Sequence, residues 1–195
     1  MPTKSLHRES LDLTLAAARS VTVDRLSAPT PCAGWVVADL LDHMTVQNLG
    51  FAAAARGKGA DPELWIGGGL RTDPVADLVA SAAVVVEAFA EPGVSERPFT
   101  LPELSGSDFP GSQAVVMHTV DSVLHAWDLA RSLGTDIAPS AELVRFTLEL
   151  GEQIPDGDRR LEPGSPFGPR LQVADTAPTL DRALALYGRS PTWPG

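Results

Sequence analysis

Apolar residues recur along this chain at the three-to-four-residue spacing of amphipathic helices. Between residues 5 and 26, Leu6, Leu13 and Ala17 share a face with Ser10 and Val21 beside them, in an Ala-rich stretch that favours helix. Pro29 and Pro31 stop it, and Ala28 to Gly34 reads as a tight, rigid connection. A second helix is predicted from about Val36 to Arg56, with Val37, Leu40, Leu41, Met44 and Leu49 in helical period, ended by Gly57 and Gly59. Residues 57–72 form a long loop. Its Gly67-Gly68-Gly69 lacks the Lys-Ser/Thr ending and preceding strand of a phosphate loop. Asp73-Pro74 starts a third helix, with Asp as cap and Pro in the first turn, running through Leu78, Val85 and Phe89 to Pro92-Gly93.

Residues 92–111 are rich in Pro, Gly and Ser, suited to a short hairpin or a loop. Ser112 is expected to cap a fourth helix from about Gln113 to Leu133, closed by Gly134. Ser140 caps another over roughly 141–153. Pro155 to Pro178 shows no periodicity, and a last short helix over about 178–187 ends at Gly188. No internal repeat and no second domain is visible. The predicted fold is all-α: one four-helix bundle domain over 1–195, with long connections and a short C-terminal helix.

Composition narrows the partners. The formal net charge of -10 repels nucleic acid, whose recognition relies on Lys and Arg at phosphates. No run of about 18 apolar residues is present, so no membrane span is expected. The early charged residues leave no apolar signal core, which points to the cytoplasm. With Cys32 the single cysteine, a disulfide within one chain and a Cys-only zinc site are both excluded.

Any metal must therefore be held by His and carboxylate, and there are four histidines. His43 lies mid-helix beside Leu40, Leu41 and Met44, at or near the buried face. Asp121 and His125 are four apart, which places both on one helix face, as paired ligands require. Asp128, three after His125, fits the carboxylate role equally by periodicity. His118 is seven before His125, about 10.5 Å along the axis at ~1.5 Å per residue, too far to share an ion with it. His7, near the chain start, is expected in solvent. Cys32 reads either as a nucleophile needing a nearby base or, preferably, as a buried structural thiol. Trp35 and Trp127 flank the histidine-bearing helices, as core or as pocket lining.

Three segments resemble the DinB-like metalloenzymes, specifically the actinobacterial branch related to mycothiol-dependent maleylpyruvate isomerase. They are Pro29-Thr30-Pro31-Cys32-Ala33-Gly34-Trp35 through Asp42-His43; Asp121-Ser122-Val123-Leu124-His125-Ala126-Trp127-Asp128 through Arg131; and the tail from Phe167-Gly168-Pro169 through Leu180-Asp181-Arg182 to Trp193. The resemblance implies an up-down-down-up bundle, in keeping with the long 57–72 connection. It also implies a divalent-metal site with one His from the second helix and a carboxylate-x-x-x-His pair from a later one. His43, Asp121 and His125 occupy those positions. The isomerase carboxylate is typically Glu; the shorter Asp121 is expected to weaken the site or change its preferred metal. Many relatives have a polar residue where Val36 stands, and Val cannot cap, so a frayed or shifted start to the second helix is expected.

The chemistry so implied is activation of a low-molecular-weight thiol such as mycothiol, with zinc the first expectation and nickel, manganese or iron the others. A metal-dependent thiol transferase or isomerase acting on a small molecule is the leading expectation. A metal-dependent hydrolase and a non-catalytic small-molecule or metal-binding stress module are the alternatives. Pairing among relatives implies a homodimer.

Overall fold

The computed structural model describes residues 2–69, 72–104, 108–162 and 165–194. Parts of the 57–72 and 92–111 connections and of the tail, at 70–71, 105–107 and 163–164, lie outside the described residues. Contacts divide the chain into two compact units, 1–137 and 138–195.

The first unit is a bundle of four helices: α1 (Pro2–Ala18), α2 (Val37–Ala55), α3 (Pro74–Ala90) and α4 (Gly111–Ser132). Its pairs α1–α4 and α2–α3 pack most extensively, and α2–α4 and α1–α3 close the ring. Two apolar clusters fill it. One gathers Leu11, Phe51, Ala55, Val85, Phe89 and Val115. The other gathers Ala18, Val37, Leu41, Leu78 and Leu129. The order in which each helix visits them gives its direction: α2 and α3 run from the second cluster to the first, and α1 and α4 run the opposite way. This is the up-down-down-up arrangement. The chain from 56 to 73 is long enough to return along the ~28 Å of α2.

Between the clusters lies a layer of buried polar side chains, among them Thr14, Gln47, Asn48, Ser81, His118, Ser122, His125 and Asp128. A buried polar group is costly unless paired. Asn48 Nδ2 accordingly donates to Ser81 Oγ at 2.9 Å, and Thr14 Oγ1 to the Ser122 carbonyl at 3.2 Å.

Several boundaries differ from the sequence expectation. α1 stops at Ala18, because the β-branched run Val21-Thr22-Val23 disfavours helix, and a 3-10 turn at Val23–Arg25 follows. α2 begins on schedule despite Val36. The Val36 amide donates to Asp39 Oδ2 at 3.0 Å, and the Val37 and Ala38 amides donate to the Ala28 and Leu26 carbonyls. The preceding connection thus does the work of a capping side chain. Ser112 is not a cap either. α4 starts one residue before it, and the Gly111 and Ser112 amides are taken by the Arg97 and Ser95 carbonyls. Asp73 and Ser140 do cap their helices, accepting from the Ala76 and Leu143 amides. Of the two options for 92–111, a hairpin forms: β1 (Pro98–Thr100) pairs antiparallel with β2 (Asp108–Pro110).

Gly111 is wedged beneath this hairpin. A Cβ there would collide with the Val94 carbonyl, which is backbone and cannot swing aside. Gly111→Ala is expected to cost about 1–3 kcal/mol, the range of overpacking. An unchanged urea midpoint would refute the close approach.

In the second unit, α5 (Ala141–Gln153) packs on α6 (Thr179–Leu186). Tyr187 is fully buried and donates its hydroxyl to the Thr147 carbonyl at 2.9 Å; Gly151 leaves room for its ring. Arg160 ties the irregular segment together by donating to the Pro155, Gly168 and Leu186 carbonyls.

Candidate metal centre

The polar layer brings His43, Asp121 and His125 together. One donor atom from each lies within 4.8 Å of the other two. His43 comes from the middle of α2, and Asp121 and His125 from successive turns of α4. His125 Nε2 is already 3.3 Å from Asp121 Oδ1. Donors bound at about 2.1 Å around one tetrahedral ion stand about 3.4 Å apart, so side-chain shifts of about an ångström would close the trio on a metal. His125 is buried, whereas the Asp121 side chain is 33% exposed, which leaves one side open to a small ligand. Two imidazoles and a carboxylate form a donor set suited to a divalent ion with an open position.

His125 is held from behind as well. Its Nδ1 lies 3.0 Å from Asp128 Oδ2, and Asp128 is fully buried. The same oxygen accepts from Cys32 Sγ at 3.2 Å. Asp128 thus engages the Nδ1 edge of the His125 ring and leaves Nε2 facing the trio, the placement of a carboxylate that orients a histidine ligand. The two aspartates that periodicity left open lie on opposite edges of the His125 ring, Asp121 toward Nε2 and Asp128 toward Nδ1.

Cys32, His125 and Asp128 themselves form a second group of close donors. Their spacings are those of hydrogen bonds, and the group is more deeply enclosed. Cys32 is half-buried rather than a sealed core thiol. The loop carrying it is braced by Thr30, whose amide donates to the Trp35 carbonyl at 3.1 Å and whose hydroxyl accepts from the Cys32 amide at 3.2 Å. Gly34, at φ +81°, makes the turn possible. The loop also places Trp35 over the site. Its ring centroid lies 4.8 Å from that of His43 and 6.3 Å, stacked, from that of His125. Trp35 is thus a wall of the site, and Trp127 is core, 4% exposed.

Asp121 and His125 stabilise each other's charged forms as an ion pair. Burial works against charge on His125, but Asp121, helped by hydrogen bonds to Asp128 and Cys32, holds its pKa well above the usual imidazole value. Burial likewise opposes charge on Asp121, and His125 followed by His43 overcomes it, drawing the carboxyl far below its ordinary range.

His118 stays out of this group, as its spacing requires. It is buried against His7, with His7 Nε2 and His118 Nδ1 3.0 Å apart. The expectation that His7 is solvated is overturned: it is 3% exposed. The signal was present in the 7, 11, 14, 18 spacing of α1, which places His7 on the face of Leu11, Thr14 and Ala18, all buried.

A family model for the mycothiol maleylpyruvate isomerase N-terminal domain matches residues 7–130. The chain belongs to this family. The match spans α2 and α3, most of α1 and α4, and every residue of the trio. Two Mycobacterium tuberculosis proteins, uncharacterized protein MT0763 and uncharacterized protein Rv0738, are each 32% identical to this chain over 189 residues, covering 94% of it and 96% of their own length. Among solved structures, a crystal structure of a mutant of mycothiol-dependent maleylpyruvate isomerase superposes with a TM-score of 0.62 at 13% identity, over 78% of this chain and 69% of the other. A second crystal structure of that isomerase gives 0.58 at 14% identity, with the same coverage. At such identities the likeness establishes the fold. Among the described residues, no helix is long and apolar enough to cross a membrane.

Asp128→Asn tests the supporting carboxylate. The amide keeps the volume but loses the charge that orients His125, so metal affinity is expected to fall about 10–100-fold with the fold retained. Competition with a chromophoric chelator reads this, and an unchanged affinity would make Asp128 a packing residue.

Proposed function

We propose that this protein is a metal-dependent enzyme that acts with a low-molecular-weight thiol of the mycothiol type, as a transferase or isomerase on a small electrophile. The observation that carries this reading is the His43–Asp121–His125 trio, open on the Asp121 side, in a chain of this family. Zinc is the first metal to test, because two imidazoles and one carboxylate suit it. A divalent ion held there by His43, Asp121 and His125 would favour the thiolate form of a bound thiol near neutral pH. The chain's own residues do the rest. Asp128 fixes the His125 ring, Trp35 walls the two histidines, and the apolar layers above and below exclude water from the donors' flanks.

The test is turnover by the metal-loaded protein with mycothiol and a panel of electrophiles that includes maleylpyruvate, with thiol omitted in parallel. Turnover that needs both metal and thiol supports the proposal. Turnover that persists without thiol favours hydrolysis by an activated water. No turnover, with ligand-induced thermal stabilisation alone, favours a binding module.

A further inference from the structure

One ionisable group at the rim of the polar layer has no part in the trio. Glu103 sits on the short 3-10 turn Pro102–Leu104, between the two strands of the hairpin. Gln47 reaches it from below. Gln47 follows His43 by one helical turn, so both side chains leave the same face of α2. It is 5% exposed and lines a water-sized cavity together with Met44, Asn48, Asp121 and Ser122. Its Nε2 donates to Glu103 Oε2 at 2.8 Å. An amide from inside the layer thus grips a carboxyl whose remaining surface is open to solvent.

The trio needs such a group. When a thiol enters as a thiolate, its proton must go somewhere. His43, Asp121 and His125 are committed to the metal, and the other ring nitrogen of His125 faces Asp128. Glu103 is the carboxylate that Gln47, one turn from His43 and lining a cavity with Asp121, holds at 2.8 Å. We propose that Glu103 is the catalytic base that takes the thiol proton, and that Gln47 is its positioning residue. Glu103 has this role only if the thiol-dependent reading of the site holds. The S–H bond breaks, the electron pair stays on sulfur, and the proton goes to a Glu103 carboxylate oxygen. Nothing is oxidised or reduced, and the proton leaves to solvent or returns to the departing thiol.

The charged surroundings suit the task. Partial burial, opposed by the Gln47 hydrogen bond, raises the Glu103 carboxyl above the usual carboxylate range. α2 presents Gln47 to it, with His43 one turn away. The turn Pro62–Trp65, which packs against Glu103's own turn, carries the exposed Glu63.

The test uses cobalt-loaded protein mixed rapidly with mycothiol, following the sulfur-to-cobalt charge-transfer band. In the wild type the band is expected to form more slowly as pH falls through the Glu103 titration. Glu103→Gln keeps the Gln47 contact and the metal content. It is expected to slow band formation by about tenfold or more at neutral pH and to abolish that pH dependence, with Glu103→Asp partly restoring both. An unchanged rate and pH profile in Glu103→Gln, with cobalt bound, overturns the role of Glu103 while leaving the thiol chemistry standing. A wild-type protein that holds cobalt but gives no band with the thiol overturns both.

Discussion

His125→Ala is expected to abolish stoichiometric metal binding, reducing a content of about one ion per chain to background by inductively coupled plasma mass spectrometry. The size of the effect follows from position. His125 stands between both carboxylates, with Nε2 toward Asp121 and Nδ1 toward Asp128. Its removal deletes a ligand and leaves two buried or half-buried carboxylates facing a void. His43→Ala removes a ligand from the other helix and leaves the Asp128 contact intact, so it separates the two groups of donors. Loss of metal in both variants places the ion in the trio. Metal retained in His43→Ala but lost in Cys32→Ala would place it with Cys32 and Asp128 instead.

The second large effect is on stability in mild acid. Burial, the larger cause, holds both His7 and His118 well below the ordinary imidazole value of 6.5, His118 at about 4. Their folded pKa values are depressed, so the unfolded chain binds protons that the fold excludes. Stability is full above pH 6.5 and falls as the pH drops below it, by up to about 1.4 kcal/mol per pH unit for each site. His125, with its raised pKa, acts in a different window, above pH 6.5, where its stabilising contribution fades as the pH climbs toward its folded value, and it is common to all variants. The difference between the wild type and His7→Phe/His118→Leu therefore isolates the pair. Urea midpoints are expected to fall more steeply from pH 7 to 5 in the wild type than in the double variant. Parallel losses would dismiss the pair as the source. Should the double variant fail to fold, imidazole NMR decides: neither ring of the wild type should titrate above pH 5.

The bundle was legible because its evidence is local and periodic. Asp73-Pro74 and Ser140 announce helix starts through side chains that can reach their own backbone, and both behave so. Val36 and Ser112 misled because the relevant amides are satisfied by carbonyls from other segments, at Leu26, Ala28, Ser95 and Arg97, and no pattern within a helix reports these. The closeness of the trio was legible for a different reason: Asp121 and His125 share a helix face, His43 lies at the apolar face of another helix, and the family resemblance joined the three. Periodicity could not rank Asp121 against Asp128, because i−4 and i+3 neighbours both lie beside a helical histidine. The orientation of the imidazole shows which ring edge each one meets. Glu103 carries no pattern at all. It sits on a turn between two three-residue strands, and its proximity to Gln47 is a contact across 56 positions of sequence.

Every residue given a chemical role, from Cys32 to Asp128, belongs to the first compact unit. The proposed donors, the carboxylate behind His125, the tryptophan wall and the rim acid are thus carried by one compact unit. Substitutions confined to residues 138–195 therefore change none of these side chains.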